Sequence, residues 1–220
     1  MTQHVRRAVL RDSLGVAIAT GTYGLSFGAV GVASGLSVAQ SCALSLVMFT
    51  GASQFALVGV LGSGGTPVAG ALAALLLGTR NTLYGLRLAP LLGFRGWRRA
   101  AAAHVLIDES TAMSVTRPDR ALARTGFLTT GATIFVLWNL TTLVGALAGE
   151  LIGDPRDLGL DAAVGAAFLA LLWPRLTTPL LRIVAVLAAL VAAGAITLTP
   201  AGVPVLMAAG VAVLVGVLGR

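Results

Sequence analysis

Long apolar runs punctuated by arginine constrain this chain more than any other feature. Residues 13–34, 41–62, 67–92, 122–149, 159–173 with its flank, and 179–218 each meet or approach the roughly 20 apolar residues a helix needs to cross a bilayer core. Unpaired backbone N–H and C=O groups are costly in hydrocarbon, and a helix pairs them all within one segment. Pro200 and Pro204 divide the last run into spans near 179–198 and 201–218. The expected fold is therefore all-α, a polytopic transmembrane bundle of six or seven helices forming a single integral-membrane permease domain over residues 1–220. A charged fraction of 10%, against about 25% in soluble domains, excludes a cytosolic enzyme. The basic stretch before the first run, Arg6, Arg7 and Arg11, resembles a signal peptide, but the run is too long and glycine-rich for one and is read as a retained first span.

The net charge of +7 comes from Arg alone, since the chain has no Lys. A nucleic-acid binder needs its positive charge on a wettable face interleaved with aromatics. Here the arginines lie between apolar runs and mark topology, so no nucleic-acid partner is expected. Arg6, Arg7 and Arg11 place the N-terminus in the cytoplasm of a multi-pass cell-membrane protein. Arg117, Arg120 and Arg124, then Arg175 and Arg182, then Arg220 mark later inside points. The loop at 150–161, with Glu150, Asp154, Asp157 and Asp161 against Arg156, fits the outside. Three full crossings from an inside start would leave Arg95, Arg98 and Arg99 outside, against the rule. A broken or re-entrant early segment removes the conflict, and so would a crossing by the polar stretch 98–116; the first is preferred.

Several residues are out of place at membrane depth. Thr50, Gly51, Ser53 and Gln54 cluster near the middle of 41–62. A discontinuous helix is built from such small polar residues, and its freed N–H groups favour an anion such as a substrate carboxylate. Arg80 and Arg87 stand seven residues apart, on one face of the 67–92 helix, and Arg80 demands a partner or water. The candidates nearest in sequence are Asp108 and Glu109, which point about 100° apart on a helix, so one of them at most faces a given partner. His104, one turn earlier, is within reach of Asp108. Spacings such as Gly24–Gly28, Gly28–Gly31–Gly35 and Gly145–Gly149 allow close helix contact. No strong internal repeat is evident. No metal signature or phosphate loop appears, so neither cofactor nor metal is expected. The lone Cys42 reads as a buried small hydrophobe.

Three runs together resemble the AzlC family, the large subunit of branched-chain amino acid exporters. Gly51-Ala52-Ser53-Gln54-Phe55 is similar to one family run, and Arg80-Asn81-Thr82-Leu83-Tyr84-Gly85-Leu86-Arg87-Leu88-Ala89-Pro90 to a second. Ile107-Asp108-Glu109-Ser110 is similar to a third, and Leu158 to Asp161 with Phe168 to Leu172 to the run after the central loop. The chain departs at Asn81, where the family has His, at Arg87, where a small residue is common, at Ile107 for Thr, and at Gly165 for Pro. Loss of that His removes a group that titrates near neutral pH. The resemblance implies secondary export of small amino acids together with a smaller membrane subunit of the AzlD type.

The resulting expectation is a non-enzymatic, proton-driven exporter of leucine, isoleucine, valine or similar amino acids. Gly51, Ser53, Gln54, Arg80, Asn81 and Tyr84 bind substrate, and Asp108 or Glu109 is the protonatable charge partner. Phe49, Phe55 and Leu83 are the candidates for an apolar pocket. Two rivals come from other classes: an intramembrane serine protease of rhomboid type, with Ser53 as nucleophile and His104 as base, and a non-transporting membrane scaffold.

Overall fold

The computed structural model describes residues 3–151, 169, 172–173, 176–200 and 203–218. The expected span at 159–173 lies almost wholly outside these residues, as do Asp154, Arg156, Asp157, Asp161, Gly165 and Arg175. In chain order the helices are α1 (Gln3–Gly21), α2 (Gly24–Ala33), α3 (Val38–Val47), α4 (Ala52–Gly62) and α5 (Pro67–Leu92). They continue as α6 (Trp97–His104), α7 (Asp108–Val115), α8 (Arg120–Leu151), α9 (Pro179–Ile196) and α10 (Val203–Leu218). The described residues contain no strand. The chain is a polytopic transmembrane helical bundle with broken helices. Gln3–Ala33, Arg120–Leu151 and Pro179–Ile196 are long and apolar enough to cross a membrane, and the 26-residue α5 has the length while carrying two arginines. Polarity is inverted relative to a soluble protein: Ser13, Ser41, Ser45, Ser53, Gln54, Ser110, Ser114, Thr130 and Thr142 are buried, while many leucines and valines face outward.

The axis of the bundle is α8, 32 residues and about 48 Å long. Along it the contacts with α1 and α2 rise together in residue number. Thr141 Oγ1 donates to the Gly21 carbonyl at 2.7 Å, a Cβ on Gly28 would overlap the Thr142 carbonyl, and one on Gly149 would touch Ala29 and Val32. The two runs are therefore parallel, and Arg6, Arg7 and Arg11 in the first half of α1 share an end of the bundle with Arg120 and Arg124. Gly24, Gly28 and Gly145 are among the positions where this approach demands glycine, since a Cβ at Gly24 would strike the Trp138 carbonyl and one at Gly145 the Leu25 carbonyl.

The 41–62 run does not cross. Its helix breaks at Met48–Gly51, and α3 descends along α8 from Ser45, 3.4 Å from Thr142, to Phe49, whose ring meets Phe135 at 5.1 Å. The following helix, α4, climbs back until Gly62 lies against Ser34, beside the entry to α3. The α3–α4 pair is thus a re-entrant hairpin whose tip stops near the middle of α8. From the same far end α5 descends to the N-terminal end, where Arg120 Nε and Nη2 donate to the carbonyls of Leu91 and Pro90, both at 3.1 Å, and Arg124 Nε donates to Leu92 at 2.7 Å. Arg95, Arg98 and Arg99 therefore join the other arginines, as a re-entrant early segment requires.

A second hairpin enters from that end. Helix α6 rises until Val105 meets Gly131, and α7 returns until Met113 meets Gly126. The 98–116 stretch is this hairpin and not a crossing. Its tip and the first one are tied by His104 Nε2, 2.9 Å from the Leu46 carbonyl, so His104 serves that contact and not the expected bond to Asp108. Both returning helices are capped from within: Gln54 Oε1 accepts from Gly51 N at 3.1 Å, and Ser110 Oγ accepts from Ile107 N at 3.0 Å. A crossing followed by a hairpin from the far end is repeated as a crossing followed by a hairpin from the near end. Tyr23-Gly24-Leu25 in the first unit and Tyr84-Gly85-Leu86 in the second echo this inverted repeat. Beyond that three-residue echo the sequence carries no strong sign of the repeat, because what recurs is mainly direction and capping rather than side-chain identity.

In a Cys42→Ala background, Arg95→Cys should react with a membrane-impermeant thiol reagent from the same side as an N-terminal tag; reaction from the opposite side would refute the hairpin topology. Gly28→Val should cost about 1–3 kcal/mol or more by forcing α2 off α8, read as a lowered Tm in detergent, while Gly15→Ala, whose Cβ meets nothing, should leave Tm within a degree or two.

Candidate functional site

The two tips meet across the middle of α5 and α8 and, with the break between α1 and α2, enclose a chamber of about 300 Å3. Its lining combines apolar side chains, those of Phe49, Phe55, Ile107, Ile134 and Trp138, with the polar residues Thr50, Arg80, Asp108 and Glu109 and with Gly51. Phe27 packs against the aromatic residues, edge-on to Phe55 at 5.5 Å and stacked on Trp138 at 6.2 Å.

Arg80 is near the centre of α5, about 18 Å of helix from the nearer end, beyond the reach of snorkelling. Its Nη1 lies 3.0 Å from Asp108 Oδ2, with side chains 24% and 21% exposed, both opening on the chamber. Asp108 and Glu109 occupy the first turn of α7, where the helix dipole favours anions. Gly51 takes φ +60° to turn the chain into α4, a conformation that L side chains avoid. The first N–H groups of α4 have no acceptor within the helix, and Gly51 and Ala52 bring them to the chamber wall. Thr50 Oγ1, Arg80 Nε and Trp138 Nε1 are buried, belong to residues lining the chamber, and have no hydrogen-bond partner among the described residues. The arrangement presents a cation, two carboxylates and a helix N-terminus together with apolar side chains, which suits a small molecule carrying both charges and an apolar group.

A family model described as AzlC protein matches residues 15–152, which span both hairpins and all of the chamber wall except Leu172. The chain belongs to the AzlC family. It is 26% identical over 152 residues to proteins of Helicobacter pylori strains J99 and 26695, each described as an uncharacterized membrane protein. That match covers 67% of this chain and 65% of theirs. No solved structure matches it. The chain thus belongs with membrane proteins by family and by relatives.

Of the residues singled out in the sequence, Gly51, Arg80, Asp108 and Glu109 line the chamber, and Arg80 has the partner expected for it. Gln54 is fully buried and caps the first tip, donating also to the Leu44 carbonyl at 3.4 Å. Ser53 is buried with its Oγ towards Gly78, Asn81 lines a different cavity, and half-buried Tyr84 lines neither. Phe49 and Phe55 form the apolar wall, whereas Leu83 is 66% exposed on the outside. Among the described residues Ser53 Oγ has no hydrogen-bond partner and His104 Nε2 is held by Leu46, so these two residues are not paired with each other. Thr20, Tyr23, Ile134 and Trp138 also line the chamber and were not singled out. Tyr23 carries a signal, the Tyr-Gly-Leu echo at a helix break; Ile134 and Trp138 look like any apolar helix residues.

Arg80→Gln and Asp108→Asn should each destabilise the protein by about 1–3 kcal/mol, because each strands a charge. The double substitution should cost less than the sum, read by Tm in detergent; strict additivity would mean that the pair contributes no coupling.

Proposed function

We propose that this chain is the large subunit of a secondary transporter that exports branched-chain or similar small aliphatic amino acids across the cytoplasmic membrane. The observation that carries this reading is the Arg80–Asp108 ion pair exposed to an apolar-walled chamber. A solute with one charge that entered the pair would leave the other partner unpaired in a low dielectric, at a cost of several kcal/mol. A zwitterionic amino acid replaces both partners at once. Its carboxylate takes Arg80 and the N–H groups at the start of α4, its ammonium takes Asp108 or Glu109, and its aliphatic side chain packs against Phe49, Phe55 and Trp138. The chamber volume falls at the small end of ligand sites, which run from about 300 to 1,000 Å3.

Proton coupling follows from the same exchange. Protonating Asp108 releases Arg80 to the substrate carboxylate, so occupancy and protonation bias the same ion pair. The arginines gathered at the N-terminal end support a cytoplasmic N-terminus by the positive-inside rule. The motif resemblance supports a smaller membrane subunit of the AzlD type as partner.

Leucine-loaded cells that express the chain with its small subunit test the reading. Arg80→Ala and Asp108→Asn should each slow efflux at least about tenfold, equivalent to about 1.4 kcal/mol, while Arg87→Ala, an exposed arginine two turns further along α5 and outside the chamber lining, should export normally. Unchanged efflux in both chamber variants would overturn the assignment.

A further inference from the structure

A second cavity, of about 420 Å3, lies between α5 and α6 and is closed behind by Phe127 of α8. It begins at mid-depth with Asn81 and Thr82 and ends at Leu92, Phe94 and Arg99, the layer in which Arg120 and Arg124 hold the last turn of α5. It therefore leads from the centre of the bundle to its N-terminal end. A single turn separates it from the chamber. Leu106 lines this cavity while Ile107 and Asp108 line the chamber, and on α5 Asn81 lines this cavity while Arg80 lines the chamber. The separating turn, 105–107, is the non-helical tip of the second hairpin. Asn81 Oδ1 is buried and accepts no hydrogen bond among the described residues, so the cavity presents an unused acceptor at its inner end. At the other end the exposed Arg99 is a cation. Leu88, Leu92, Leu106 and Phe127 between them are apolar.

We propose that this cavity is a second station for the same zwitterionic amino acid, a vestibule on the N-terminal side of the transport path, and that the Leu106–Ile107 turn is the gate between it and the chamber. The proposal rests on the amino-acid reading of the chamber. Arg99 draws the carboxylate to the mouth, and Asn81 Oδ1 accepts from the ammonium at the inner end. Two hydrogen bonds and a tie set the gate's resting position: Ser110 Oγ holds Ile107 N at 3.0 Å and lies 3.0 Å from the Val105 carbonyl, and His104 is anchored on Leu46. Moving the tip along α8 opens the chamber to the vestibule and leaves the first hairpin closed on the far side, as alternating access requires.

Gly85 lines the vestibule, and a Cβ there meets nothing nearer than Leu106 Cδ1 at 3.9 Å, so Gly85→Cys fits. In a Cys42→Ala background expressed with the small subunit, an anionic methanethiosulfonate added from the N-terminal side should label Gly85→Cys. Saturating leucine should slow that labelling about tenfold, and labelled protein should lose efflux. Asn81→Leu should abolish the protection by leucine while leaving the labelling rate unchanged. Reaction with membrane-permeant reagents alone would show a groove that faces lipid or a partner helix and would overturn the vestibule. Labelling that neither leucine slows nor efflux registers would overturn the second station. If unlabelled Gly85→Cys and its parent export no leucine, the amino-acid reading fails for both sites, whereas aqueous labelling at Gly85, which needs no transport, still decides whether the vestibule exists.

Discussion

Everything in this structure depends on how broken backbone is kept satisfied at membrane depth. Hydrocarbon offers no hydrogen bonds, so a helix that stops halfway across must be enclosed by protein and capped from within. Here each returning helix is capped by the side chain three residues into it, Gln54 for Gly51 and Ser110 for Ile107. Both tips are then enclosed by α8, which presents glycines where backbone must approach backbone and aromatics where space must be filled. A chamber exists because two capped ends face each other there and neither continues.

The charges follow from that enclosure. Arg80 in an uninterrupted helix bundle would be expensive at the centre of the slab. The second tip supplies Asp108 at the start of α7, where a carboxylate is further favoured by the helix dipole. The pair is stable enough to stay closed and exposed enough to be exchanged, which is the property a carrier of zwitterions needs. The same tip separates the chamber from the cavity beside α6, so one element both supplies a binding charge and divides the path. The AzlC-family match spans both hairpins.

Much of the site was legible before any coordinate. Burial of Arg80 called for an acid, and Asp108 was among the two available; Gly51 among small polar residues called for a break, and the break is there with positive φ. Other residues misled because adjacency in a helix says nothing about which cavity a side chain enters. Asn81 is next to Arg80 and lines the other cavity, while Leu83 and Tyr84, three and four residues on from Arg80, sit a turn further along α5 and line neither cavity. Gln54 carries the polarity of a ligand group and is spent on capping.

Composition and periodicity by themselves determined the membrane setting, the approximate bounds of α5, α8, α9 and α10, and the need for a partner to Arg80, since each follows from the local cost of placing polar groups in hydrocarbon. Only the tertiary structure decided that 41–62 and 98–116 are hairpins entering from opposite ends, because re-entry and crossing expose similar local sequences and differ in which distant segment, Ser34 or Arg120, lies beside their ends. It also decided that Trp138 and Tyr23 complete the chamber, since contacts across more than a hundred residues of chain are set by packing against α8 and leave no mark on the apolar pattern of either segment.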